Sequence, residues 1–354
     1  MTTMADRSQA EGSPAEGPQL KKKDFESDQQ VRWCPGCGDY AILAHVQTAF
    51  AKFGLKKEDI VVISGIGCAA RFPYYMGTYG FHTIHGRAPA IASGLKIARP
   101  ELSVWVVGGD GDMLSIGGNH FLHACRRNID INILCINNEI YGLTKGQYSP
   151  TSKVGTRKAS TPMGSIDRPV NPIALALAAE ATFVARSVDR FGPHLVSTLT
   201  SAEAHKGSSF IEILQNCVIF NDATFDNVTG RSADGANRPV NTIELRHGKP
   251  LVFGRENELG IRLNGLKPEV VKIGEDGVTE ADLLVYDNTD GAMAYLIAGL
   301  DPNIYPTPIG VFYDAPPEAP YEVHVHEQIA TAREKQGDGD LMALLRAGDV
   351  WTVD

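Results

Sequence analysis

Val104-Trp105-Val106-Val107-Gly108-Gly109-Asp110-Gly111-Asp112 and Ile131-Asn132-Ile133-Leu134-Cys135-Ile136-Asn137-Asn138 are the stretches whose reading decides the fold of this chain. Each is a short apolar run, rich in β-branched residues, that stops abruptly on polar groups. Runs of this length and composition read as buried strands. Residues 117–127 between them fit a helix, and strand, helix, strand is the crossover unit of a parallel sheet.

The same alternation continues outward in both directions. Ile60-Val61-Val62-Ile63 is a buried strand, and residues 86–98 read as a helix stopped by Pro100. Residues 172–179 are helical, Phe183-Val184-Ala185 is a strand, residues 193–206 are a helix, and Phe210-Ile211-Glu212-Ile213-Leu214 closes the series. Towards the N-terminus, Asp39 is positioned to cap a helix with Ile42, Leu43, Val46, Ala49, Phe50 and Phe53 on one face, ended by Gly54. The expectation is an α/β fold whose mostly parallel sheet is covered by helices on both faces. No internal repeat is visible.

Three regions follow from composition. Residues 1–30 are polar, without apolar periodicity, and read as a disordered N-terminal tail. Residues 31–235 carry the domain just described. Residues 236–354 mix short apolar runs with loops, hold one helix around 327–346, and read as a C-terminal extension acting as a lid or subunit contact. The 354 residues, 43% hydrophobic and 21% charged, are those of a soluble globular protein. A net charge of −9 leaves no basic footprint for nucleic acid and disfavours anionic lipid. No apolar run is long enough to span a bilayer, and the start MTTMADRSQA lacks the apolar core of a secretory signal, which points to the cytoplasm.

In a parallel sheet, ligands sit beyond the carboxyl ends of the strands. Both polar stops lie there. Gly109 and Gly111 let backbone N–H groups approach phosphate oxygens, Asp110 offers a carboxylate, and Asn138 an amide oxygen suited to magnesium. Gly-Asp-Gly alone is as readily an ordinary turn. Its pairing with Asn-Asn, one helix and one strand later, resembles the signature of thiamine-diphosphate enzymes. That resemblance implies Mg²⁺ ligation by Asp110, Asn138 and the carbonyl of Ile140, with Asp112 and the turn Gly142-Leu143-Thr144 lining the pocket.

Six cysteines in a chain of this kind are metal ligands, reactive thiols or small buried hydrophobes rather than a disulfide framework. Cys34-Pro35-Gly36-Cys37 fits half a zinc knuckle, a redox pair or the start of an iron–sulfur site; no second CxxC follows, which disfavours a zinc ribbon. Cys68 and Cys217 each follow a strand, at the sheet edge where the diphosphate segment lies. Four thiolates make a complete [4Fe–4S] ligand set, although scattered spacing alone does not establish one. Cys125, within a helix, and Cys135, within an apolar strand, read as buried hydrophobes.

Taken together, WCPGCG, GIGC, HGRA, GGDGD, YGLTKGQ, PTS, NPIALA, TFVAR and LQNC, in this order and spacing over residues 31–230, strongly resemble the β subunit of 2-oxoacid:ferredoxin oxidoreductases. Pro308-Ile309-Gly310-Val311-Phe312-Tyr313 resembles a block near that family's C-terminus. The resemblance implies a thiamine-diphosphate-binding fold and one [4Fe–4S] cluster on Cys34, Cys37, Cys68 and Cys217. It further implies cofactor contacts from Ile66, Gly67, Cys68, Ala69, His85, Gly109, Gly111 and Asp112. The implied reaction takes a 2-oxoacid and coenzyme A to an acyl-CoA and carbon dioxide, with electrons passing to ferredoxin. Family members with Leu-Thr-Lys in the YGLTKGQ turn accept larger or dicarboxylic 2-oxoacids, so Lys145 is the candidate for the distal carboxylate of 2-oxoglutarate, with Arg71 as a second cation; the family carries lysine at the latter position, so charge is kept and geometry is not. Pyruvate, or a broad range of 2-oxoacids, is the alternative. A more distant one is a cluster-free thiamine-diphosphate decarboxylase or synthase, and a third is a non-catalytic zinc-binding scaffold. No glutamate stands beside these motifs to activate the cofactor. In the family the α subunit supplies it, so an α2β2 assembly is expected and the chain alone should be inactive.

Overall fold

The computed structural model describes residues 19–230 and 241–353. Strands β1 (Ile60–Ser64), β2 (Tyr79–His82), β3 (Ser103–Gly109) and β4 (Asn132–Asn137) precede a small hairpin of β5 (Ile140–Tyr141) and β6 (Gln147–Tyr148). β7 (Phe183–Val188), β8 (Ser209–Leu214) and β9 (Thr242–Leu245) come next. β10 (Val252–Phe253), β11 (Leu259–Asn264) and β12 (Lys267–Lys272) form a separate three-stranded antiparallel sheet. β13 (Thr307–Asp314) then returns to the main sheet.

That main sheet has eight strands in the order β2-β1-β3-β4-β8-β7-β13-β9. Every pairing is parallel except β13 against β7, which is antiparallel and irregular between Val311 and Tyr313. The alternation of β3 shows why both faces are covered. Val104 and Val106 enter one apolar core, with Phe121, Ile173 and Phe210, while Trp105 and Val107 enter the other, with Phe50, Phe183 and Leu195. Helices Ala88–Ala98, Gly118–Arg126 and Pro172–Ala178 supply the first core, and Asp39–Phe50 and Gly192–Ala204 the second.

Four expectations need correction. Residues 1–18 lie outside the described residues, but residues 19–30 are not a free tail. Lys22–Phe25 forms a helical turn, and Phe25 is fully buried edge-on against Phe50, ring centroids 5.9 Å apart. Nor is 236–354 only an extension. β9 and β13 complete the main sheet, and Ile243, Leu245, Ile309 and Phe312 are buried. Asp39 does not cap its helix: it is the first helical residue, behind Gly38, and is itself buried. A side chain cannot replace that glycine, because its Cβ would lie 2.1 Å from Asp189 Oδ2. The C-terminal helix is broken in two, Tyr321–Gln336 and Leu341–Leu345, with Gly337 at φ +73° between them. Among the described residues no helix is long and apolar enough to cross a membrane.

Candidate functional site

Asp110 leaves the end of β3 buried, and burial pushes its carboxyl up to about 6 against the hydrogen bonds it receives. Thr151 donates its hydroxyl to Asp110 Oδ2 at 2.6 Å. The neighbouring strand ends in two asparagines with different employment. Asn137 is buried, donates to Glu212 Oε1 at 2.8 Å, and accepts from the Glu139 N–H at 3.1 Å, so its amide is consumed by the fold. The Asn138 amide oxygen accepts from the Ile140 N–H at 3.2 Å, its carbonyl accepts from Asn221 Nδ2 at 3.0 Å, and the residue lines a cavity of about 90 Å³ together with Asp110 and Ile140. A carboxylate, an amide oxygen and a backbone segment converging there are hard oxygen donors, which suit magnesium.

Asp112 has a different task. Its Oδ1 accepts from the Ile66 N–H at 3.0 Å and the Gly86 N–H at 2.8 Å, and lies 2.5 Å from His85 Nδ1. Gly65 must lack a side chain, since a Cβ would lie 1.9 Å from Asp112 Oδ2. Residues Asp112–Ile116 then wind as a π-helical turn, a local irregularity common at functional sites. Gly86, at φ +71°, packs its backbone onto Gly117, where a Cβ would come within 2.6 Å of the Gly117 nitrogen.

These contacts bring the expected residues into one cavity. Ile66, Gly67, Cys68 and Ala69 enter from the loop after β1, and His85 from the loop after β2. Gly109, Asp110, Gly111 and Asp112 come from the end of β3 and its turn, and Gly142, Leu143 and Thr144 from the segment beyond β5.

A second cavity, of about 210 Å³, lies against the first and shares Cys68, Asn138, Gly142 and Leu143 with it. Cys34, Cys37, Cys68 and Cys217 all line it. Burial is the main cause that raises the thiol of Cys37, and it raises that of Cys68 to about 11, so both thiols are neutral until something withdraws their protons. A side chain at position 142 would face this cavity: its Cβ would lie in ordinary contact, 3.7 Å, with both Cys68 Sγ and Cys217 Sγ. Among the described residues no three His, Cys, Asp or Glu groups are arranged to hold a metal ion. The four cysteines line a shared space, and four thiols are the ligand number that a [4Fe–4S] cluster takes. Cys125 and Cys135 are fully buried in the core, outside both cavities.

Arg71 and Lys145 line the cysteine cavity and not the diphosphate cavity. Arg71 donates to the carbonyl of Arg32 at 3.0 Å, and Lys145 sits at φ +74° in the turn after β5. Sequence reasoning gave no role to Thr151, although Pro150-Thr151-Ser152 was visible as a motif, or to Gln215, which donates to Cys37 Sγ at 3.2 Å. It also missed a cavity of about 240 Å³ behind the site, lined by Glu139, Lys153 and the ion pair of Arg186 with Glu212, whose Nε and Oε2 are 2.7 Å apart.

Comparison with known proteins places the chain among relatives. Residues 65–213 match the family described as thiamine pyrophosphate enzyme, C-terminal TPP binding domain. The chain is 50% identical to 2-oxoglutarate oxidoreductase subunit KorB of Mycobacterium tuberculosis over 348 residues, 97% of this chain and 91% of that one. It is 44% identical to 2-oxoglutarate synthase subunit KorB of Methanocaldococcus jannaschii over 185 residues, 52% of this chain and 68% of the other. Among solved structures, 2-oxoglutarate:ferredoxin oxidoreductase from Magnetococcus marinus, with 2-oxoglutarate, coenzyme A and succinyl-CoA bound, superposes with a TM-score of 0.71 at 30% identity, covering 95% of this chain and 98% of that one.

Proposed function

The chain belongs to the β subunits of the 2-oxoglutarate:ferredoxin oxidoreductases, and on that premise we propose that it binds thiamine diphosphate as its magnesium complex and carries one [4Fe–4S] cluster beside it. In this reading Asp110, the amide oxygen of Asn138 and the carbonyl of Ile140 take the magnesium. Gly109 and Gly111 admit the diphosphate, and Asp112 fixes His85 and the loop from Ile66 to Ala69 around the cofactor. Cys34, Cys37, Cys68 and Cys217 take the cluster. When bound, thiamine diphosphate supplies carbanion stabilisation and the cluster accepts electrons singly.

The observation that carries the reading is Cys68, a lining residue of both cavities. A ligand shared between two pockets puts an electron acceptor against the cofactor with no intervening relay. The substrates are 2-oxoglutarate and coenzyme A, the products succinyl-CoA and carbon dioxide, and the electrons leave to ferredoxin. Lys145 and Arg71 offer cations for the distal carboxylate of 2-oxoglutarate from the neighbouring cavity.

No glutamate is among the described residues lining the diphosphate cavity. A thiamine enzyme uses one to activate the aminopyrimidine, so the α subunit supplies it, in an α2β2 assembly.

The experiment is anaerobic co-purification with the α subunit, iron and sulfide analysis, and coenzyme A-dependent reduction of ferredoxin or a viologen dye by 2-oxoacids. Four irons per β chain and a higher kcat/KM for 2-oxoglutarate than for pyruvate are expected. An iron-free active complex would remove the cluster, preference for pyruvate would remove the substrate assignment, and activity of the isolated chain would remove the dependence on the α subunit.

A further inference from the structure

Gln215 follows β8 immediately and is buried. Its Nε2 faces two acceptors, Cys37 Sγ at 3.2 Å and the carbonyl of Asn216 at 2.8 Å. Its Oε1 is buried and has no hydrogen-bond partner among the described residues. A buried amide oxygen left unpaired costs free energy, so packing alone would favour an apolar side chain of the same size. What the amide adds is its N–H groups, and one of them points at a cysteine sulfur.

The neighbourhood holds that amide in place. A Cβ at Gly38 would lie 2.9 Å from Gln215 Cγ, so the chain passes tightly beside it. The Cys37 thiol also approaches the carboxyl of Asp39, at 3.6 Å. As an iron ligand Cys37 is a thiolate, which has no proton to donate and can only accept. Gln215 is then a neutral, buried donor aimed at the ligand sulfur. Hydrogen bonds to ligand sulfurs stabilise the reduced, more negative cluster and raise its reduction potential.

We propose that Gln215 is a potential-setting residue, whose N–H to Cys37 Sγ hydrogen bond raises the reduction potential of the cluster. This rests on the reading of the four cysteines as cluster ligands. It is a positioning role: Gln215 touches a ligand and is absent from the lining of the diphosphate cavity.

The test uses the anaerobic complex with its α subunit, carrying wild-type chain, Gln215→Leu or Gln215→Met. Both replacements keep similar volume and remove the donor. Iron and sulfide per chain and the midpoint potential, by redox titration followed by electron paramagnetic resonance, are the readouts. The expected result is full iron in all three, with both variants shifted to lower potential in the same sense and KM for 2-oxoglutarate unchanged. Full iron with unmoved potentials in both variants overturns the inference. Loss of iron from both overturns it as well, because the amide would then be a structural brace. Wild-type complex without iron is a separate outcome: it refutes the cluster itself, and the inference falls with it.

Discussion

Asp112 and His85 meet at 2.5 Å, carboxylate oxygen to Nδ1, in the wall of the diphosphate cavity. The same oxygen also receives the Ile66 and Gly86 N–H groups, so the turn after β3 joins the loops after β1 and β2 at one buried atom. The second acid of Gly-Asp-Gly-Asp thus organises what the first acid is positioned to use.

Asp112→Ala should therefore destabilise the fold as well as the site. Two backbone N–H groups would lose their buried acceptor, at a cost of roughly 2–5 kcal/mol in all. Urea denaturation of the purified chain reads this directly; a loss below about 1 kcal/mol would mean that the three loops are held by other contacts.

Thr151→Val keeps shape and removes one hydroxyl. Asp110 would lose its 2.6 Å donor without any change in packing volume. We expect thiamine diphosphate affinity in the presence of magnesium to fall about tenfold, the effect of one charge-assisted hydrogen bond, with some loss of stability because the buried hydroxyl also meets Asn137 Oδ1 at 2.9 Å. Titration calorimetry on the assembled complex measures it, and equal affinity for both proteins would remove Thr151 from the site.

Lys145→Ala is expected to raise KM for 2-oxoglutarate about tenfold, as for loss of one hydrogen bond between charged groups, and to leave 2-oxobutyrate nearly unaffected. Steady-state kinetics with both acids decides it. Equal effects on the two would show that the lysine, which lines the cysteine cavity, does not meet the distal carboxylate.

A pH effect is expected far from the site. Burial pushes the carboxyl of Glu203 above its ordinary range, opposed by the hydroxyl of Ser103, which donates to it at 2.8 Å. An acid whose folded value is raised contributes fully below its unfolded value, about 4.3 for glutamate, and that contribution is lost as pH rises through the folded value. Glu203→Gln removes the ionisation, so the variant should gain on wild type as pH rises above about 4. Melting curves of both proteins across that range check it; a constant difference would show that Glu203 titrates normally.

What was legible in the chain followed from local rules. The strands of the parallel core announce themselves as apolar runs, and Asp110 and Asn138 as polar stops at their ends. Phe25 was not legible, because one aromatic among lysines and acids has no periodicity to betray it. β9 and β13 were missed as parts of the sheet because their pairing is non-local: Arg186 lies opposite Gly310. Thr151 and Gln215 were missed for a related reason. Each acts on a partner 41 or 178 residues away, and hydroxyls and amides at such separations carry no local signal. The two cations of Arg71 and Lys145 were legible as residues, but their side of the Gly142-Leu143 turn was not.

That turn is a partition one residue thick. Gly142 faces the diphosphate cavity on one side and two cysteine sulfurs on the other. A methyl group added there would rest in van der Waals contact with both sulfurs, on the cysteine side. A change at position 142 is therefore felt in the cysteine cavity as well as in the diphosphate cavity, because the residue lines both.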